Sequence, residues 1–261
     1  MRIAAIYDIH GNLPALEAVL AAIDRERPDL IVVGGDVAAG PLPRPTIERL
    51  MGLDYPAHFV RGNGDREMVA LFNGQPLDPS LSEAAREQIA WSVGQLDRAH
   101  RDFLATFTPP ATFRIDALGD AVFCHGSPRD EDEIITASTT EERLARIVAA
   151  VAAPLVVSGH THMQFDRRHP LRRVPGTVRV VNAGSVGMPY GEPGAYWALL
   201  GPTVALRRTT YDLDAAAARI RAGGCPWAED FIATNMRRPA IATEAQALFE
   251  GWAIEREEIK R

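Results

Sequence analysis

Five short segments collect the residue types that a divalent cation selects: Asp8-Ile9-His10, Gly35-Asp36, Gly62-Asn63-Gly64-Asp65, His125-Gly126 and Gly159-His160-Thr161-His162. Imidazole nitrogens and carboxylate oxygens with no thiolate among them suit Mn, Fe, Zn or Co better than soft-metal chemistry. Residues two apart on extended backbone point the same way, so Asp8 with His10, and His160 with His162, are each expected to aim two donors into one crevice. Two such ions about 3.5 to 4 Å apart would clamp a phosphate and bring a bridging water to hydroxide near neutral pH. A carboxylate such as Asp36 bridges two cations while cancelling part of their repulsion, and Asn63 offers a neutral carbonyl oxygen. Metal-dependent hydrolysis is the chemistry these residues point to.

The elements that must position them follow from hydropathy. Most of the five segments come directly after a short apolar run, which places them at strand ends, where α/β sheets carry their chemistry. Arg2 to Tyr7 reads as a buried strand, and Leu13, Leu16, Leu20 and Ile23 then recur at helical spacing with Pro14 in the first turn. The unit repeats with a strand over Leu30 to Val33, a short helix over Thr46 to Met51 and a strand over His58 to Arg61. Parallel strands with crossover helices are expected. Asp65 to about Phe107 is helical in pattern, broken by Pro76 and Pro79, and reads as an insertion over the sheet. Thr112 to Ile115 and Ala121 to Cys124 predict a hairpin, Glu141 to Val151 a helix, and Leu155 to Ser158 a further strand. A second β region covers Gln164 to Arg168, Val178 to Asn182, Tyr196 to Leu200 and Val204 to Thr209. The sequence thus predicts an α/β protein with two layers of strand flanked by helices. From Leu213 the chain turns helical to its end, interrupted at Gly223-Gly224-Cys225-Pro226 and at Pro239.

Composition bounds the function. The 261 residues are 46% hydrophobic and 24% charged, ordinary globular material with a net charge of -6, which offers no overall basic field for bulk nucleic-acid binding. No signal-length apolar core opens the chain and no apolar stretch approaches the length of a membrane span, so a cytoplasmic protein without membrane attachment is expected. Cys124 and Cys225 are too few for a disulfide framework, and Cys124 reads as a small buried hydrophobe.

The order D-x-H, G-D, G-N-x-D, H-G and G-H-x-H resembles the calcineurin-like metallophosphoesterase superfamily. The resemblance implies a four-layer α/β/β/α sandwich with two mixed sheets, carrying a helical insertion at about 66–107. It divides the chain into a catalytic domain over 1–211 and a C-terminal helical extension over 212–261 packed on it. It further implies that Asp8, His10, Asp36 and His162 hold one divalent ion and that Asp36, Asn63, His125 and His160 hold the other, with manganese favoured. A hydroxide bridging the two ions would attack a phosphodiester. The alternative within the class is a phosphatase for nucleotides, dinucleoside polyphosphates or phosphoprotein. A different class is a non-catalytic binding scaffold, as in the retromer subunit of this fold, but here each ligand position is filled. A metallo-β-lactamase-like site would need an early His-x-His-x-Asp-His run, which the chain lacks. The expected partner is a small phosphoester or nucleotide, and a homo-oligomer is compatible with the sequence.

One position departs from the family pattern. Many members carry Gly-Asn-His-Asp, whose histidine is associated with protonating the leaving oxygen or steadying the phosphate, whereas Gly64 stands here. A positioned proton donor contributes about 10² to 10⁴ in rate, so good leaving groups such as aryl or anhydride oxygens are favoured. Asp65 is expected to orient a ligand or loop. Arg66 and Asn12 are read in two ways, as phosphate contacts or as a solvated arginine and a helix cap. His58, His100 and His169 lie outside the motifs and read as structural.

Overall fold

A computed structural model describes residues 1–170 and 177–259. Strand β1 (Ile3–Ile6) is buried along its whole length, and its side chains divide by the two-residue strand period. Ala4 and Ile6 face helix α1 (Leu13–Glu26), while Ile3, Ala5 and Tyr7 face a second layer of strands. A strand covered on both faces reads as an unbroken apolar run, which is why β1 and β2 (Leu30–Val33) were visible in the sequence.

The first sheet has the order β10-β9-β1-β2-β3, with β3 (Ala57–Phe59) parallel to β2, and with β9 (Ala195–Leu200) and β10 (Val204–Thr209) running antiparallel to their neighbours. The second has the order β4-β5-β6-β8-β7, formed by β4 (Ala111–Ile115), β5 (Gly119–Phe123), β6 (Leu155–Ser158), β7 (Phe165–Pro170) and β8 (Thr177–Asn182). Strands β5, β6 and β8 are parallel, with β4 and β7 antiparallel at the edges. Both sheets are therefore mixed. Phe123, Leu155, Val157 and Val181 meet Ile3, Ala5, Val32 and Ala198 in the core between them. Outside the second sheet, Val156, Val178 and Val180 pack under Leu144 and Ile147 of α6 (Glu141–Ile147). The result is the expected four-layer α/β/β/α sandwich.

The late strands β9 and β10 do not continue the second sheet. They return to the first, where Ile3 to Ala5 pair with Leu200 to Ala198. Helix α2 (Pro43–Met51) starts three residues before the predicted Thr46, because Pro43 presets the first helical residue and needs no amide partner there. Helix α6 ends at Ile147 rather than Val151, as a tight bond from the Val151 amide to the Val148 carbonyl (3.0 Å) closes the chain into turns. The predicted insertion is α3 (Asn63–Phe72), α4 (Glu83–Gly94) and α5 (Arg98–Leu104), which place Met68, Ile89 and Leu104 in the core outside the first sheet.

The helical tail has two destinations. Ala216, Ala217 and Ile220 of α7 (Leu213–Ala222), with Phe231 of α8 (Ala228–Phe231) and Met236 of the π-helical turn Ile232–Arg237, join that same core. Helix α9 (Ala242–Ile259) goes elsewhere and buries Ala245, Phe249 and Ala253 against Ile134 and Met163. Glu250 ties it down by accepting hydrogen bonds from Thr136 Oγ1 (2.6 Å) and Thr139 Oγ1 (2.7 Å). Among the described residues no helix is long and apolar enough to cross a membrane.

Candidate metal centre

Each of the five segments leaves the carboxyl end of a parallel strand: Asp8 after β1, Asp36 after β2, Asn63 after β3, His125 after β5, and His160 and His162 after β6. The loops are stitched to one another by their backbones. Asp8 N donates to Gly35 O (3.0 Å), His10 N to Asp36 O (2.9 Å) and Gly159 N to His125 O (2.9 Å). Close approach here depends on Gly35, at φ +97°, where a β-carbon would stand 2.4 Å from the Gly62 amide nitrogen.

The backbone at five of the candidate ligand positions is not extended. Asp8, His10, Asp36, His160 and His162 have φ of 52°, 47°, 53°, 65° and 59°, in the left-handed region that non-glycine residues rarely adopt. The alternation argument for Asp8 with His10 and for His160 with His162 thus gave the correct neighbourhood by the wrong route. Conformations of this kind cost about 1 to 3 kcal/mol each and persist where the surroundings over-determine them, which is characteristic of functional sites.

The side chains converge on two overlapping groups. In one, His162 Nε2 lies 3.4 Å from Asp8 Oδ1 and 3.2 Å from His10 Nε2. In the other, His125 Nε2 lies 3.6 Å from Asp36 Oδ2, 3.9 Å from Asp8 Oδ1 and 3.1 Å from Asn63 Oδ1. Asp36 Oδ2 also comes to 3.9 Å from His10 Nε2, so it reaches both groups. Asp8 does so as well, through Oδ1. His160 stands beside the second group, with its ring 5.0 Å from that of His125, while the close donors of that group are Asp8, Asp36 and His125.

Backbone carbonyls fix the imidazoles. The Nδ1 atoms of His10, His125 and His162 lie 3.2, 2.8 and 2.8 Å from the carbonyls of Ala39, Gly34 and Met188. A ring that donates through Nδ1 presents an unprotonated Nε2 inward, the arrangement that orients a metal-ligating histidine. Burial pushes the His160 imidazole down to about 4 and, together with His162, pushes His10 down. Burial also opposes charge on Asp8, but the imidazoles of His162, His125 and His10 overcome it and hold the carboxyl well below the usual range. In His125, burial is outweighed by the carboxylates of Asp36 and Asp8, which raise it.

A divalent cation fits this arrangement. Asp8 Oδ1 is buried without a hydrogen-bond partner, and the Nε2 atoms of His10 and His162 lie 3.2 Å apart, so in the tautomers that donate through Nδ1 to the backbone carbonyls the two nitrogens face each other as acceptors. Buried polar atoms left in this way are costly unless something positive lies among them.

The remaining predicted residues fall around the cluster. Asp65 accepts from the amides of Asp36 (2.9 Å), Gly62 (2.9 Å) and Val37 (3.0 Å), so its carboxylate pins the Asp36 turn and the Asn63 turn together. Asn12 is buried and caps α1, its Oδ1 accepting from Ala15 N (3.3 Å) while Nδ2 donates to Gly187 O (3.0 Å). Arg66 directs its guanidinium to Glu67, Glu131 and Asp132, and these carboxylates occupy the fork that a phosphate contact would use. His58 bonds Thr108 Oγ1, His100 pairs with Asp97 in a helix cap, and His169 pairs with Glu141. Cys124 is buried and Cys225 is buried, both as free thiols. One residue beside the cluster escaped the sequence reading: Tyr190, whose ring is centred 6.0 Å from that of His162. No periodicity or motif marks it, and only the return of its loop along Asp8 brings it there, through Gly187 N to Asp8 O (3.0 Å).

Two mixed sheets with ligand-type residues at their facing strand ends define a metallophosphoesterase-type sandwich. The chain belongs to the calcineurin-like phosphoesterase superfamily, whose domain matches residues 1–202. A metallophosphoesterase from Sphaerobacter thermophilus is similar in structure, with 29% identity, a TM-score of 0.66, and coverage of 89% of this chain and 97% of that one. A hypothetical protein from Pyrococcus horikoshii OT3 shares the fold at 19% identity and a TM-score of 0.75, over 92% of this chain and 99% of that one. No curated protein matches the sequence. Family membership supports a phosphoesterase with candidate metal-binding residues.

Proposed function

We propose that the protein hydrolyses phosphodiester bonds at a pair of divalent cations, with Mn²⁺ the first choice. The observation that carries this reading is the pair of overlapping imidazole and carboxylate groups built around the unpartnered Asp8 Oδ1. Asp8, His10, Asp36 and His162 would hold one ion, and Asp36, Asn63, His125 and His160 the other. When bound, the ions supply Lewis-acid polarisation of a phosphoryl oxygen and an attacking water that is acidic near neutral pH. The chain's own part is to fix the ligands before substrate arrives. Carbonyls of Gly34, Ala39 and Met188 orient three imidazoles, and Asp65 holds the Asp36 and Asn63 turns.

Gly64 carries no side chain to protonate a leaving group, so turnover should favour substrates whose leaving oxygen is already stable as an anion. Aryl phosphodiesters meet that condition, and so do the anhydride linkages of nucleoside and dinucleoside polyphosphates, which form the second reading. A panel of phosphate monoesters, diesters and nucleoside polyphosphates assayed with Mn²⁺, Fe²⁺, Zn²⁺ and Co²⁺ tests the proposal. Metal-dependent release from diesters first is expected. No turnover with any metal would instead support a binding scaffold.

A further inference from the structure

The mouth of the cluster can be located from exposure. Asp8 and His125 are fully enclosed, whereas His10 and His162 keep 14% and 11% of their side chains in contact with solvent. Asn63 and His160 are likewise partly exposed, so the mouth spans both groups, and Tyr190 stands at its His162 edge, partly exposed, with its ring inclined 31° to that of His162.

Tyr190 is held from behind by the end of the chain. Phe249 of α9 meets its ring edge to face, with centroids 6.1 Å apart and planes at 78°. The Gly191 amide donates to Ala240 O at 2.9 Å, so the loop bearing Tyr190 is also tied to the segment leading into α9. Met163, next to the ligand position His162, lies in the same apolar cluster as Phe249, Ala245 and Ala253. Helix α9 thus serves as the backing of a wall beside the mouth. Helix α9 lies beyond residue 202, where the match to the family domain ends, whereas Tyr190 lies within it.

A fixed, partly exposed aromatic ring beside a phosphate site provides a face for stacking. We infer that Tyr190, braced by Phe249, is a specificity-determining residue that stacks on the aromatic group, aryl or nucleobase, of a phosphoester whose phosphate lies at this mouth. The inference rests on the phosphoesterase reading of the cluster and names the kind of ester it accepts. Aliphatic esters lack the flat face that Tyr190 can use.

Calorimetric titration of the Mn²⁺-loaded protein with phenylphosphonate and with methylphosphonate tests this. Neither has a P–O–C bond to hydrolyse, so the readout is binding alone. The wild type is expected to bind phenylphosphonate about tenfold tighter, within the range that stacking one ring provides. Tyr190→Phe keeps the ring and should keep the preference, whereas Tyr190→Leu should bring the two affinities to within about twofold while leaving methylphosphonate binding intact. Equal affinities in the wild type, a preference that survives Tyr190→Leu, or binding of neither ligand would overturn the inference. Failure of the hydrolytic reading shows separately, as absent turnover in a protein that still discriminates the two phosphonates.

Discussion

The Gly64 amide donates to Asp36 Oδ1 at 2.7 Å, and a β-carbon on residue 64 would stand 2.9 Å from that same oxygen. The position that lacks the family's histidine therefore also sets where the Asp36 carboxylate lies, with its other oxygen turned toward His10 and His125. Gly64→His is not a simple restoration of a proton donor, because any side chain there presses on Asp36. Gly64→Ala isolates this effect. It should weaken Mn²⁺ binding by about 10- to 100-fold, the usual consequence of disturbing a ligand's support. Calorimetric metal titration measures it, and an unchanged affinity would show that the Asp36 carboxylate can shift without penalty.

Asp65 holds three amides from two loops on two oxygens. Asp65→Asn turns an NH₂ group toward at least one of those donors and leaves it buried without an acceptor. The expected cost is about 1 to 3 kcal/mol of stability, read as a lower urea midpoint with unchanged slope. Metal affinity should fall with it, since the Asp36 turn is one of those held. A variant as stable as the wild type would mean that these amides find other partners.

Asp8 Oδ1 is buried without a hydrogen-bond partner, and the imidazoles of His10 and His162 pack at short range. Cations that bind the folded state alone should raise its stability, by about 2.7 kcal/mol at a free concentration 100 times the dissociation constant. Thermal unfolding with and without Mn²⁺ reads this as an upward shift of the midpoint. Equal midpoints would argue against a cation among these residues.

The sequence exposed the site far better than the reasons for its shape. Asp8, Asp36 and His160 could be placed because the buried parallel strands β1, β2 and β6 read as apolar runs, whereas Asn63 and His125 follow the partly exposed β3 and β5, where the apolar signal is shorter. Their left-handed backbone could not be read, because none of Asp8, His10, Asp36, His160 and His162 is a glycine. The return of β9 to pair with β1 was hidden as well, since hydropathy marks a strand without naming its neighbour. Arg66 looked free because its partners Glu131 and Asp132 lie some 65 positions away in sequence. Tyr190 is marked by no local signal and is defined by two long-range ring contacts, with His162 and Phe249.

The central claim is that Asp36 takes part in cation-dependent phosphodiester hydrolysis. The most direct measurement is Mn²⁺-dependent release of nitrophenolate from bis(4-nitrophenyl) phosphate by wild type and by Asp36→Asn, with the unfolding midpoint of each chelated protein as a control on folding. The account predicts turnover by the wild type and a loss of more than about 100-fold in the variant, beyond what removing an outer hydrogen-bond partner brings, at comparable chelated stability. Near-normal turnover by a well-folded Asp36→Asn protein, or none by the wild type, would contradict it.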